Sequence, residues 1–184
     1  SGIDLKVESQ GSERNPASIQ ARAVEYLKTL EDWDIIIDDD GSGEAADLVA
    51  MKVRDGKLIV NLVHCKFSKD DPGARISDFY EVCGQAQKSI QKRRQPYNMV
   101  RNLIRRERNR QTRGRNNIIV GTADDIQRIA ENMSRYLPEF AITIVQPGLS
   151  KPSVTNDILQ LLAATESYIS DVGGQTPLKV IVNS

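Results

Sequence analysis

Apolar residues recur at two distinct periods along the chain, and the switch between them marks out the elements. Ile19, Ala23, Tyr26, Leu27 and Leu30 are spaced as on one face of a helix, and Pro16-Ala17-Ser18 supplies a plausible start, so a first helix is expected from about Pro16 to Leu30. Stretches rich in branched apolar residues follow at Trp33 to Ile37, Ala46 to Val53 and Lys57 to Phe67, and read as strands. Asp55-Gly56 separates the last two; a type I′ turn needs positive φ at both central residues, which this dipeptide tolerates well.

That turn sets a register. With a two-residue loop flanked by Arg54 and Lys57, Val53 lies opposite Leu58, Met51 opposite Val60 and Asp47 opposite His64. Directly opposed residues share a face of the sheet, and so does Lys66, two positions beyond His64.

After a turn at Asp70-Asp71-Pro72-Gly73, a second apolar stripe of Ile76, Phe79, Tyr80, Cys83, Ala86 and Ile90 predicts another helix, running into a basic segment that Pro96 interrupts. Further expectations are a buried-type strand at Asn117 to Gly121, an amphipathic helix at Asp124 to Tyr136, and a strand at Phe140 to Val145. A helix at Thr155 to Ile169 and a strand at Leu178 to Val182 complete the set. Alternating helices and strands after an initial β-run point to an α/β fold, with a central mixed sheet flanked by helices. Residues 1–15 are polar and aperiodic, an arm or linker. Residues 16–184 are expected to form a single domain, with a core at 16–121 and an α/β extension at 122–184.

Charge changes this picture. The 184 residues carry a formal net charge of +0, but the charged residues from Glu31 to Asp47 are all acidic, whereas from Lys88 to Arg115 Glu107 alone opposes the basic ones. The zero is a cancellation of two fields. Cys65 and Cys83 fit neither a Cys-x-x-Cys pair nor a disulfide framework, and no apolar run approaches membrane-spanning length, so a cytoplasmic protein with reduced thiols and no membrane partner is expected.

Candidate chemistry gathers on the hairpin. Divalent Mg²⁺ prefers carboxylate oxygens, which makes Asp47 an anchor. A lysine beside such an ion can orient the attacking water and stabilise developing charge, a role open to Lys66. The backbone carbonyl of Cys65 is placed as a further ligand. The bland alternatives are a solvated loop acid for Asp47 and a solvated strand-end residue for Lys66.

With Ala46-Asp47 followed by His64-Cys65-Lys66, the chain resembles the PD-(D/E)xK nuclease superfamily, over roughly Pro16 to Val120. The resemblance implies a restriction-endonuclease-like α-β-β-β-α-β core. It places Asp47 at the Pro-Asp position, His64-Cys65-Lys66 at the (D/E)-x-K position, and Glu25 where many members carry a further acid. In the branch similar to RecB and Mrr, a glutamine of the next helix lies near the site; Gln85 or Gln87 fits, Gln85 being preferred. The implied catalytic set is Asp47, His64, Lys66, Glu25 and Gln85, with Mg²⁺ or Mn²⁺ held by Asp47, His64, Glu25 and the Cys65 carbonyl. The acid position holds His64, and an imidazole ligand favours Mn²⁺ or softer ions over Mg²⁺.

The implied activity is hydrolysis of DNA phosphodiesters, as an endonuclease, within a larger restriction, phage-defence or helicase-linked protein; many relatives cut duplexes as dimers. Lys88, Lys92, Arg93, Arg94, Arg101, Arg105, Arg106 and Arg108 are the expected phosphate contacts, since one acid cannot neutralise them by intrahelical pairing. Aromatics are sparse there, favouring backbone tracking of duplex DNA over base stacking. The same chemistry would also serve an RNA substrate, and a catalytically inactive module docking DNA or protein is the alternative from a different class.

Overall fold

A computed structural model describes residues 2–67, 76–174 and 176–183. The elements are α1 (Ile19–Leu30), β1 (Ile35–Asp38), β2 (Leu48–Arg54), β3 (Lys57–Cys65), α2 (Ile76–Ser89), α3 (Pro96–Gln111), β4 (Ile118–Val120), α4 (Ala123–Glu131), β5 (Leu137–Ser150), α5 (Asn156–Gly173) and β6 (Leu178–Asn183). They build an α/β fold on one six-stranded mixed sheet of order β4-β1-β2-β3-β5-β6.

The first helix starts later than the apolar spacing suggests. Ser18 is its N-cap, its hydroxyl accepting from Ala21 N at 3.1 Å, which satisfies a backbone donor that Pro16 has no means to reach. The β2–β3 hairpin has the expected register, with Val53 opposite Leu58 and Met51 opposite Val60 down to Leu48 opposite Val63. Asp55 and Gly56 both have positive φ, 51° and 73°, as a type I′ turn requires. The expected turn at Asp70 to Gly73 lies outside the described residues.

Residues 122–184 complete the sheet. β5 pairs in parallel with β3, and β6 in parallel with β5, whereas β4 adds antiparallel to β1 at the opposite edge. Pro147-Gly148, expected to end a strand, instead falls in an irregularity of β5 between Gln146 and Ser150. Parallel strands need long crossovers, which the α2-to-α4 segment and α5 provide.

Strand alternation splits the core across the sheet. Ile35, Ile37, Val49, Met51, Leu58, Val60 and Leu62 face the larger cluster under α2, α3 and α4, while Ile36, Leu48, Ala50, Val63 and Cys65 pack beneath α1. Both faces are covered, so the central strands read as continuous apolar runs.

The N-terminal segment is docked on this body. Val7 and Glu8 carbonyls accept from Ile19 N at 2.9 Å and Gln20 N at 3.0 Å, and Arg14 Nη2 donates to the carbonyls of Asn116 and Ile118. It is part of the fold and reaches the candidate site.

Gly121 ends β4 with φ 80°; a Cβ there would collide with the Asp34 carbonyl oxygen and sit 2.5 Å from Ile35 Cδ1. Gly121→Ala is therefore expected to cost about 2–3 kcal/mol through combined backbone strain and overpacking, read as a lower urea midpoint at unchanged slope; an unaltered midpoint would refute this close approach.

Candidate metal centre

The acidic run between β1 and β2 is a folded loop. Asp39 N donates to Asp47 O at 3.0 Å, prolonging the β1–β2 ladder past Asp38. The buried Asp39 carboxylate accepts from Ala45 N at 2.9 Å and from Arg106 Nε at 2.6 Å. Arg106 also donates to the carbonyls of Asp39, Gly41 and Ser42, and Arg110 to the carbonyl of Asp40. Two arginines of α3 thus bind the loop through its backbone. Gly41 and Gly43 have φ of 118° and 80°, allowing the chain to fold over Arg106.

This path turns three carboxylates toward one point. Ligand oxygens of Asp40, Glu44 and Asp47 all lie within 4.8 Å of one another. Asp47 is 4% exposed and its Oδ2 accepts from Cys65 N at 2.7 Å, tying the trio to the end of β3. Burial, with the nearby charges of Glu44, Glu8 and Asp40, pushes the Asp47 carboxyl up to about 8. Burial raises the Glu44 carboxyl as well. Gln20, fully buried on α1, donates to Asp40 Oδ2 at 3.3 Å, and its own oxygen accepts from Gln10 N at 3.0 Å.

Lys66 follows Cys65, whose backbone N–H holds Asp47. Its Nζ is 2.8 Å from Glu81 of α2 and 3.5 Å from Glu8, which also accepts from Phe67 N at 2.9 Å. Burial works against the ammonium, but Glu81 and Glu8 outweigh it, so the lysine pKa ends above its ordinary value and the side chain is cationic.

The expected site residues divide. Asp47 lies directly before β2 and Lys66 directly after β3, and the Cys65 N to Asp47 Oδ2 bond joins these two strand ends. Glu25 lies at the surface: its side chain is 65% exposed and pairs with Lys28 at 3.0 Å. The inward positions of α1 are Gln20, Ala23, Val24 and Leu27, a phase that excludes Glu25. His64 lies one position beyond the Leu48–Val63 pair that ends the β2–β3 ladder, and its ring is directed to α2, with Nε2 2.9 Å from Ser89 Oγ, outside the carboxylate trio. Ser89 Oγ donates to Ala86 O, which assigns the ring proton to Nε2 and leaves the buried Nδ1 without a partner. Burial drives this imidazole down to about 4, so it is neutral. Gln85 lies one turn from both Glu81 and Ser89 with a buried, unpartnered Oε1, while Gln87 is bonded to Thr165 of α5. Cys65 places its thiol in the core beneath α1, so only its backbone belongs to the site.

Among the expected phosphate contacts, Arg106 is a correction: it is committed to Asp39 and the loop carbonyls. Arg93 lies against the C-terminus of α5, Nη1 being 3.4 Å from Val172 O. Lys92 is half-buried; Lys88, Arg94, Arg101, Arg105 and Arg108 are exposed.

Asp40, Glu44, Glu8 and Gln20 escaped the motif. The usable signal for the first two was Asp-Gly-x-Gly-Glu preceding Asp47, a glycine-bent acidic loop; nothing local in the N-terminal segment marks Glu8. No protein-family model matches the chain, and no curated protein or solved structure matches it either.

Without bound cations, ionising Asp47 costs folding free energy. Its folded pKa of about 8 lies above its ordinary 3.8, so its favourable contribution is complete below that lower value and is lost as pH rises through the higher one. Asp47→Asn should therefore unfold at higher temperature than the native chain above pH 8 in chelator. Millimolar Mg²⁺, Mn²⁺ or Ca²⁺ should raise the native melting temperature more at alkaline than at mildly acid pH, with no such gain in Asp47→Asn. Equal cation response in both proteins would eliminate Asp47 as a ligand.

Proposed function

We propose that the chain is a divalent-metal-dependent nuclease domain acting on DNA. The observation that carries this is the convergence of Asp40, Glu44 and Asp47 at the end of the β2–β3 hairpin, with the cationic Lys66 on the adjoining segment. An all-carboxylate set suits a hard cation, and Asp47, held largely protonated by burial and then by its acidic neighbours, is a group whose charge a cation would restore. With His64 outside the set, Mg²⁺ and Mn²⁺ are both candidates and the preference for softer ions does not follow. The order α1, three-stranded meander, α2, then a strand beside β3 accords with a restriction-endonuclease-like core if that strand is β5; β4, the expected one, lies at the far edge.

When bound, a divalent ion supplies charge neutralisation at the phosphate and an activated water. The chain supplies the surroundings. Asp40, Glu44 and Asp47 hold the ion, and Cys65 N–H fixes one Asp47 oxygen so that the other is available. Lys66, protonated between Glu81 and Glu8, offers its charge to the phosphate oxygens rather than acting as a base. Gln20 and Arg106 orient Asp40 and the loop without needing to touch substrate.

The position of His64 away from the carboxylates favours the second reading, a module that docks DNA without cutting it. Nicking of supercoiled plasmid separates the two. The native chain should nick with Mn²⁺ or Mg²⁺, Asp47→Ala should fall to background, and Lys66→Met should lose about 10²–10³-fold. Glu25→Ala should stay within about twofold, as expected of a surface position. Duplex binding without nicking under any divalent cation would establish the docking module.

A further inference from the structure

We propose that the groove between α3 and α4 is a docking site for a nucleic-acid phosphate backbone, engaged by Arg101, Arg105 and Arg108. The choice of nucleic acid as the polyanion rests on the nuclease reading; the site itself rests on the groove.

The basic run does not act as one unit. Its inward face, Arg106 and Arg110, is spent on the acidic loop. The outward face remains, and Arg101, Arg105 and Arg108 recur there at i, i+4 and i+7, lining an open groove of about 850 Å³ that α4 closes on its other side. All three are exposed. Among the described residues, none of them has an acidic partner. Arg101 lies over Tyr97, with its guanidinium carbon 5.6 Å from the ring centre. The one acid lining the groove, Glu131, already accepts from Gln127 at 2.8 Å.

Dimensions fit the ligand. Seven residues of helix separate Arg101 from Arg108 by about 10 Å, and successive phosphates of one strand advance by about 3.4 Å along the axis of a duplex, so the row spans about three phosphates. Asn98 and Asn102 add neutral donors, which tolerate a phosphate or sugar and make no demand on sequence. A row of like charges without acidic partners raises the local positive potential, which attracts a polyanion.

The test is anisotropy of a labelled duplex of mixed sequence in chelator, so that binding is separated from cutting, as a function of salt. R101Q/R105Q/R108Q should reduce the salt slope by about 2.7 and weaken binding on the order of a hundredfold near 0.1 M salt, and R105Q alone should reduce the slope by about 0.9. R54Q/R135Q/K151Q, which removes three exposed cations elsewhere, should shift the slope by less than the single R105Q change. Circular dichroism and the cation-induced rise in melting temperature verify that the triple variants are folded.

The proposal is overturned if the native chain does not bind duplex. It is equally overturned if the two triple variants lose affinity alike, or if R105Q leaves the slope unchanged. A poly-glutamate peptide that holds the groove more tightly than duplex would overturn it in favour of an acidic protein partner. Groove-dependent binding with no nicking by the native chain would sink the nuclease reading and leave the docking site standing.

Discussion

Five carboxylates crowd the turn from the end of β1 to the start of β2, Asp38 on the strand and Asp39, Asp40, Glu44 and Asp47 in the loop, and the guanidinium groups of Arg106 and Arg110 are what make that compaction tolerable. The Asp39–Arg106 pair is nearly sealed from solvent, 1% and 15% exposed at the side chains, where attraction between charges is strong and removing either partner strands the other. Because Arg106 also binds three carbonyls of the loop, it fixes the loop's path as well as its charge. The placement of Asp40 and Glu44 beside Asp47 follows from that path. Glu107 joins α3 to the sheet in the same region, accepting from Asn117 N just before β4, so the helix that neutralises the loop is itself held against β1 and its neighbour.

Strand alternation and turn chemistry made much of the fold legible. The β2–β3 register could be read from Asp55-Gly56 because only one loop length places both residues at positive φ, and alternation then put Asp47, His64 and Lys66 at one end of the sheet. The position of β4 was not readable: three residues of strand carry too little pattern to choose an edge, and the pairing with β1 is a contact across more than eighty positions of sequence. β5 was recognised but truncated, since Pro147-Gly148 signals a break that the parallel partner β6 bridges by an irregularity.

The site was legible where backbone periodicity dictates it and obscure where tertiary packing does. Glu25 was chosen for its residue type within α1, but the helix turns Gln20 inward; the acids grouped with Asp47 are Asp40 and Glu44 of the loop, and Glu8, on a segment with no periodic signal, pairs with Lys66. His64 falls near the end of β3, as the strand pattern suggested, but the direction of its ring is decided by Ser89 on α2, a partner twenty-five residues away that no local pattern announces. Likewise Arg106 and Arg105 are adjacent in sequence and opposite in role: one lies against an acidic loop, the other against open solvent, a division visible only once α3 is docked.

The parallel pairing of β3 with β5 has a kinetic meaning. Lys66 N donates to Val145 O at 2.9 Å, so the segment carrying this lysine is held by a strand that emerges from synthesis some eighty residues later. The hairpin through Asp55-Gly56 is local and closes quickly, whereas joining β5 to β3 requires loop closure across α2, α3, β4 and α4. The carboxylates and the lysine therefore both depend on contacts of long sequence separation, the loop acids on Arg106 of α3 and the backbone of Lys66 on β5, so neither is positioned by the local hairpin alone.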